Sequence, residues 1–121
     1  MERTDYSVTQ VRVDGEPVRT GGWSVVSLPE PAVTGALLVP HGVVNNPRFR
    51  VLAVDGDVWE TEDTGLRTME WGDPAEQSIT DLAVACLAGR LHVSRSGDTL
   101  TITNKDHELT LGPASPHIEF L

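Results

Sequence analysis

Apolar side chains recur along most of this chain at every second position, the rhythm of half-buried strands, and one segment breaks that rhythm. In "YSVTQVRV", residues 6–13, Tyr6 and Val8 share one parity while Val11 and Val13 share the other. A strand cannot change face without an extra residue, so a bulge is predicted near Thr9 or Gln10. "DGEP" at 14–17 reads as a turn, because Asp and Gly tolerate positive φ and Pro lacks a ladder donor. A strand is predicted over "WSVVSL", 23–28, and "PEP" is expected to end it. "GALLVPHGVV", 35–44, is apolar enough for a buried strand, with Pro40 confined to an edge or a bulge. "RFRVLAV" and "DVWE" flank Asp55-Gly56, the strongest short hairpin signal in the chain.

The departure lies in "DPAEQSITDLAVACLAG", residues 73–89, where Ile79, Leu82, Ala83, Cys86 and Leu87 recur at helical spacing and form one stripe. Asp73 suits the N-cap, Pro74 the first helical position, and Glu76 completes a capping box. Gly89 suits a left-handed C-terminal cap. After the helix, Leu91/Val93, Leu100/Ile102 and Leu109/Leu111 alternate with polar positions, with Thr99, Thr101 and Thr103 on the opposite face, around turns at Gly97 and 104–108. About eight strands and one helix against them predict a mainly antiparallel β-barrel or strongly curved sheet. At 121 residues it is expected to be one domain over 1–121, with a core of about 4–111 and a tail of 112–121.

Charge narrows the function. Eighteen acidic residues against nine basic ones give a net charge of −9, which opposes a phosphate backbone or an anionic membrane surface. No apolar run approaches the ~20 residues that span a bilayer, and "MERTDYS" lacks the pattern of a signal peptide. A cytoplasmic location is expected, unless a leader has been removed. Cys86 is the only cysteine, which excludes an internal disulfide and fits a reducing compartment.

The acidic stretch from Asn46 to Gln77 invites a calcium reading, but counting from Asp55 puts Trp59 at loop position 5 and Glu60 at position 6, against the EF-hand pattern. Its acids divide instead into a hairpin turn (Asp55, Asp57), a rim (Glu60, Glu62, Asp63) and a helix cap (Asp73, Glu76). No carboxylate pair stands out for glycosidase chemistry. The histidines are scattered, "GWSVV" lacks the second Gly of a nucleophile elbow, and Cys86 sits on the apolar stripe as a core residue. No cofactor is expected. In "NPRFR", Phe49 is expected in the core with Arg48 and Arg50 on the other face pairing nearby acids; the rival reading makes the cluster an anchor for an anionic ligand or partner.

Taken in order, "TDYSVTQVRVDGEPV", "HGVVNNPRFRVLAVDGDVWE", "RTMEWGDPAEQ" and "SGDTLTITNKDHELTL" resemble the segments of the META domain, the HslJ-like family, over about residues 4–111. Asn46 falls at the Asn of the family's G-x-x-G-C-N segment and Met69 at the Met of its T-x-M-x-C segment. The resemblance implies a disulfide junction that this chain replaces with Asn45 and Trp71, so Trp71 is expected to be substantially buried. It also implies a non-catalytic module tied loosely to stress response, envelope proteins and motility; a possible protein partner and a monomeric or weakly homo-oligomeric state are expected. The alternative is a binder of a small lipophilic molecule in a barrel cavity, with Trp23, Phe49 or Trp59 lining it. A hydrolase ranks last.

Overall fold

The computed structural model describes residues 2–69 and 72–113. Its elements are β1 (Glu2–Val13), β2 (Glu16–Pro17), β3 (Val25–Glu30), β4 (Leu37–His41), β5 (Phe49–Asp55), β6 (Val58–Asp63), α1 (Pro74–Leu87), β7 (Gly89–Ser96), β8 (Thr99–Asn104) and β9 (His107–Pro113). Every pairing is antiparallel, in the order β2-β1-β3-β4-β5-β6-β7-β8-β9, and β9 returns to pair with β1. The result is a closed barrel of eight strands with the two-residue β2 added outside it, and closure removes the open edges that would otherwise invite aggregation.

The parity switch in β1 is resolved by a bulge. The β1–β9 register jumps from Val8↔Leu111 to Gln10↔Thr110, so Thr9 is the extra residue and both Tyr6 and Val11 reach the interior. The Asp55-Gly56 hairpin forms with Asp55 opposite Val58 and Gly56 at φ 59°. In the closing meander Leu91, Val93, Leu100, Ile102, Leu109 and Leu111 all point into the core.

Two strand limits differ from expectation. Pro29 does not end β3; it lies past the last β3–β4 pair, Ser27↔Val39, where that side of the strand has no ladder partner to lose. Pro40 pairs with Val26 on one side and sits beyond the last β4–β5 pair, Leu38↔Phe49, on the other, which is the edge-like position its missing donor requires. β9 runs on through Pro113, into the segment expected to be tail.

The helix begins as expected. Asp73 Oδ1 accepts from Glu76 N–H at 2.8 Å and Glu76 Oε1 accepts from Asp73 N–H at 3.0 Å, a complete capping box. Its end is different: Ala88 is the C-cap in an extended conformation, and Gly89, at φ 121°, already opens β7. No loop separates helix from strand, so the chain leaves the helix by straightening rather than by a left-handed turn. The final carbonyls are satisfied from the barrel instead, by Thr61 on β6 and Asn104 on β8.

Ala83, Cys86 and Leu87 enter the core from the helix, while Ile79 and Leu82 pack at its margin and Thr80 is buried in their place, donating to the Val44 carbonyl at 3.1 Å. The helix therefore closes the barrel end at which β6 finishes and β7 starts. The barrel axis is filled by Trp23, Leu28, Leu38, Phe49, Leu91 and Leu100, each less than 2% exposed. Burying each such side chain contributes roughly 1.5–3 kcal/mol, so packing rather than cross-linking holds the fold.

Candidate functional site

Among the described residues, no helix lies over the barrel end opposite α1. That end is bounded by the β5–β6 turn, the β7–β8 turn and the connection between β3 and β4. Alternation along β3 puts Glu30 on the parity of Val26 and Leu28, and alternation along β7 puts Arg95 on that of Leu91 and Val93. Both are thus inward positions that run out of core at the mouth. Tyr6, opposite Val26 on β1, joins them. Its hydroxyl donates to Glu30 Oε1 at 2.6 Å, Arg95 donates to the Tyr6 oxygen at 3.2 Å, and the Arg95–Glu30 ion pair spans 3.5 Å. β7 is separated from β1 by β8 and β9, so the Arg95 side chain bridges the opening. Burial, and then the hydrogen bond to the Glu30 carboxylate, push the Tyr6 phenol above its ordinary pKa, while that phenol holds the Arg95 guanidinium protonated more firmly.

Beside this bridge lies a cleft of about 330 Å³. Leu100 and Val93 form its floor, Trp59 and Val54 one wall, and Pro31 and Ala32 the other, with Asp57 at the hairpin turn. Trp59 is half-buried and Val54 exposed, so an indole surface faces the opening with an apolar side chain in water next to it.

A second polar cluster sits on the outer face of β1, β3 and β4. Ser27 donates to the Asp5 carboxylate, and His41 Nε2 lies 2.8 Å from the same hydroxyl oxygen. The residue types are those of a hydrolase triad but the wiring is not. A carboxylate only accepts, so the single hydroxyl proton goes to Asp5, and His41 Nε2 must then be the donor to Ser27. A histidine that donates to the serine cannot take its proton, and Asp5 contacts the serine rather than the imidazole. Cys86 is no better placed as a nucleophile, because burial pushes its thiol up to about 12. Among the described residues no three His, Cys, Asp or Glu side chains come close enough to hold a metal ion.

Trp59 therefore lines the mouth, whereas Trp23 and Phe49 lie within the packed barrel, 1% and 0% exposed. Arg48 is exposed, and Arg50 pairs with Glu62 at 3.0 Å. The rim acid Asp63 is held below its ordinary pKa by hydrogen bonds from Arg67, aided by the Gly65 N–H. Asn45 and Asn46 have φ of 66° and 41°, two successive left-handed residues that turn the chain into β5, and asparagine is among the few side chains that tolerate this. The Asn45 carbonyl accepts from Thr68 N–H at 3.1 Å, which ties this turn to the β6–α1 connection. Met69, read from sequence as part of the same junction, is fully exposed, and Trp71 lies outside the described residues. Tyr6, Glu30 and Arg95 were missed. The one signal that could have found Glu30 and Arg95 is parity, a charge standing where the next inward apolar residue belongs.

No protein-family model matches the chain, and no curated protein matches it. A solved structure, titled as the NMR structure of a protein, is similar in fold: the TM-score is 0.56 at 16% identity, over 90% of this chain and 87% of the other.

Proposed function

We propose that this chain is a META/HslJ-like recognition module that works through protein contacts in the cytoplasm and turns over no substrate. The observation that carries the reading is where the fold leaves its apolar side chains. The barrel axis is packed, while the connection between β6 and α1 presents Leu66 at 67% and Met69 at 100% exposure. Large apolar side chains held in water on one segment are what a partner-facing surface offers, and methionine adapts readily to a partner's shape. The wiring of Ser27 and the buried thiol of Cys86 argue against nucleophilic catalysis. Among the described residues no helix is long and apolar enough to cross a membrane. The alternative of a lipophile in a barrel chamber has less support, since Trp23 and Phe49 fill the axis rather than line a space.

The test is affinity capture from native cells with the unaltered chain and with the pair Leu66→Asp and Met69→Asp. A stoichiometric partner that the first retains and the second loses, with the circular dichroism and melting temperature unchanged, supports the proposal. Equal capture by both defeats it.

A further inference from the structure

We infer that the open mouth of the barrel is a binding site for a small organic cation, an ammonium or guanidinium group carrying an apolar body. The inference goes beyond the protein-contact role and uses neither Leu66 nor Met69.

The shape suits such a ligand first. At about 330 Å³ the cleft is within the range that holds small molecules, and its floor of Val93 and Leu100 with a wall of Trp59 and Val54 gives the apolar body an apolar surface to cover. Charge then selects the head group. Glu30 and Asp57 line the cleft against the single cation Arg95, and the whole chain carries −9, so the field at the mouth draws cations in and turns anions away. Trp59 adds the aromatic face to which a cation is attracted most strongly.

Arg95 is the resident cation, held by one hydrogen bond of 3.2 Å to the Tyr6 oxygen and by an ion pair. Its ion pair with Glu30 spans 3.5 Å and its side chain is 54% exposed, features of a surface pair with little net stabilisation. Glu30, by contrast, is fixed by the Tyr6 hydroxyl at 2.6 Å and stays in position when the guanidinium swings into water. The arrangement is a preorganised carboxylate with an exchangeable counter-ion, beside an indole. An anionic ligand would have to displace Glu30 itself, the better-anchored member, with Asp57 close by.

The experiment titrates 3-phenylpropylammonium into the ¹⁵N-labelled chain at constant ionic strength, with 3-phenylpropionate and tetramethylammonium as separate arms. Saturable shifts confined to Val54, Asp57, the Trp59 indole N–H and Val93, with neither other probe saturating there, are the expected result. Arg95→Gln should tighten the ammonium, because it removes the competing cation, and Glu30→Gln should weaken it. Trp59→Leu should weaken it roughly two- to fivefold. Asp57→Asn, in an exposed turn, gives a second charge test should Glu30→Gln disturb the fold, and it too should weaken binding. Saturation of the mouth by phenylpropionate, weaker ammonium binding in Arg95→Gln, or shifts spread over the acidic surface without saturation would each overturn the inference. None of these outcomes bears on capture through Leu66 and Met69, so the two proposals fail separately.

Discussion

The Thr61 hydroxyl and the Gly89 backbone are bonded across 3.1 Å, with Gly89 N–H donating to Thr61 Oγ1 while that same hydroxyl donates to the Leu87 carbonyl at 2.5 Å. One buried threonine on β6 thus replaces the glycine cap that the sequence suggested for the helix. Asn104 completes the job from β8, its amide donating to Ala85 O and Ala88 O, both at 2.8 Å. Thr61→Val keeps the shape and removes both bonds, and is expected to cost about 1–3 kcal/mol in urea unfolding, with Asn104→Ala in the same range. The double variant should lose less than the sum, because both side chains hold one helix end.

Cys86 makes stability depend on alkaline pH. Its folded pKa is raised to about 12 by burial, from an ordinary value of 9.0. The folded state therefore binds the proton more tightly than the unfolded chain. This contribution is complete below the unfolded value and is lost as pH rises above it, at about 1.4 kcal/mol per pH unit. Unfolding free energies measured between pH 8 and about 10.5 should fall more steeply for the unaltered chain than for Cys86→Ala. Reaction with a thiol reagent at pH 8 should be far slower than for an exposed thiol and should accelerate as added urea raises the opened fraction.

What was legible in the sequence is what neighbouring residues decide among themselves. Asp55-Gly56 needs only its own φ preferences to turn, and Asp73 caps the helix with Glu76 three residues away, so both appeared where expected. The bulge at Thr9 was legible because two parities collide within eight residues. The helix end was not, since its partners Thr61 and Asn104 lie 26 and 16 residues from the carbonyls they serve. The mouth is harder still: Tyr6 meets Glu30 across 24 residues and Arg95 across 89, and only closure of the barrel brings the three together. Of the candidate contact residues, Trp59 could be placed at the mouth only once β6 had a register against β7.

Gly42 is required by its surroundings as well as by its own backbone. It sits at φ 86°, and a Cβ there would fall 1.9 Å from the Gly22 carbonyl oxygen, on the main chain beside Trp23. Neither backbone can retreat without moving a core tryptophan. Gly42→Ala should cost on the order of 3–5 kcal/mol. Gly65→Ala is the control: its φ is 80° but nothing lies within 4 Å of the added carbon, so only the left-handed penalty of about 1–2 kcal/mol applies. Equal losses in thermal melts of the two variants would show that crowding at Gly22 contributes nothing.

Ser27 offers the sharpest check on catalysis. Its proton is committed to Asp5 and His41 is the donor on its other side, so the oxygen has no base to activate it. A fluorophosphonate probe should leave Ser27 unlabelled across pH 6–9 under conditions that label a serine hydrolase completely. Ser27→Ala should cost no more than about 1.5 kcal/mol, because the exposed Asp5 and His41 side chains can turn to water once the hydroxyl is gone. Labelling of Ser27 that His41→Gln abolishes would mean that the imidazole accepts rather than donates, and the non-catalytic reading would fall with it.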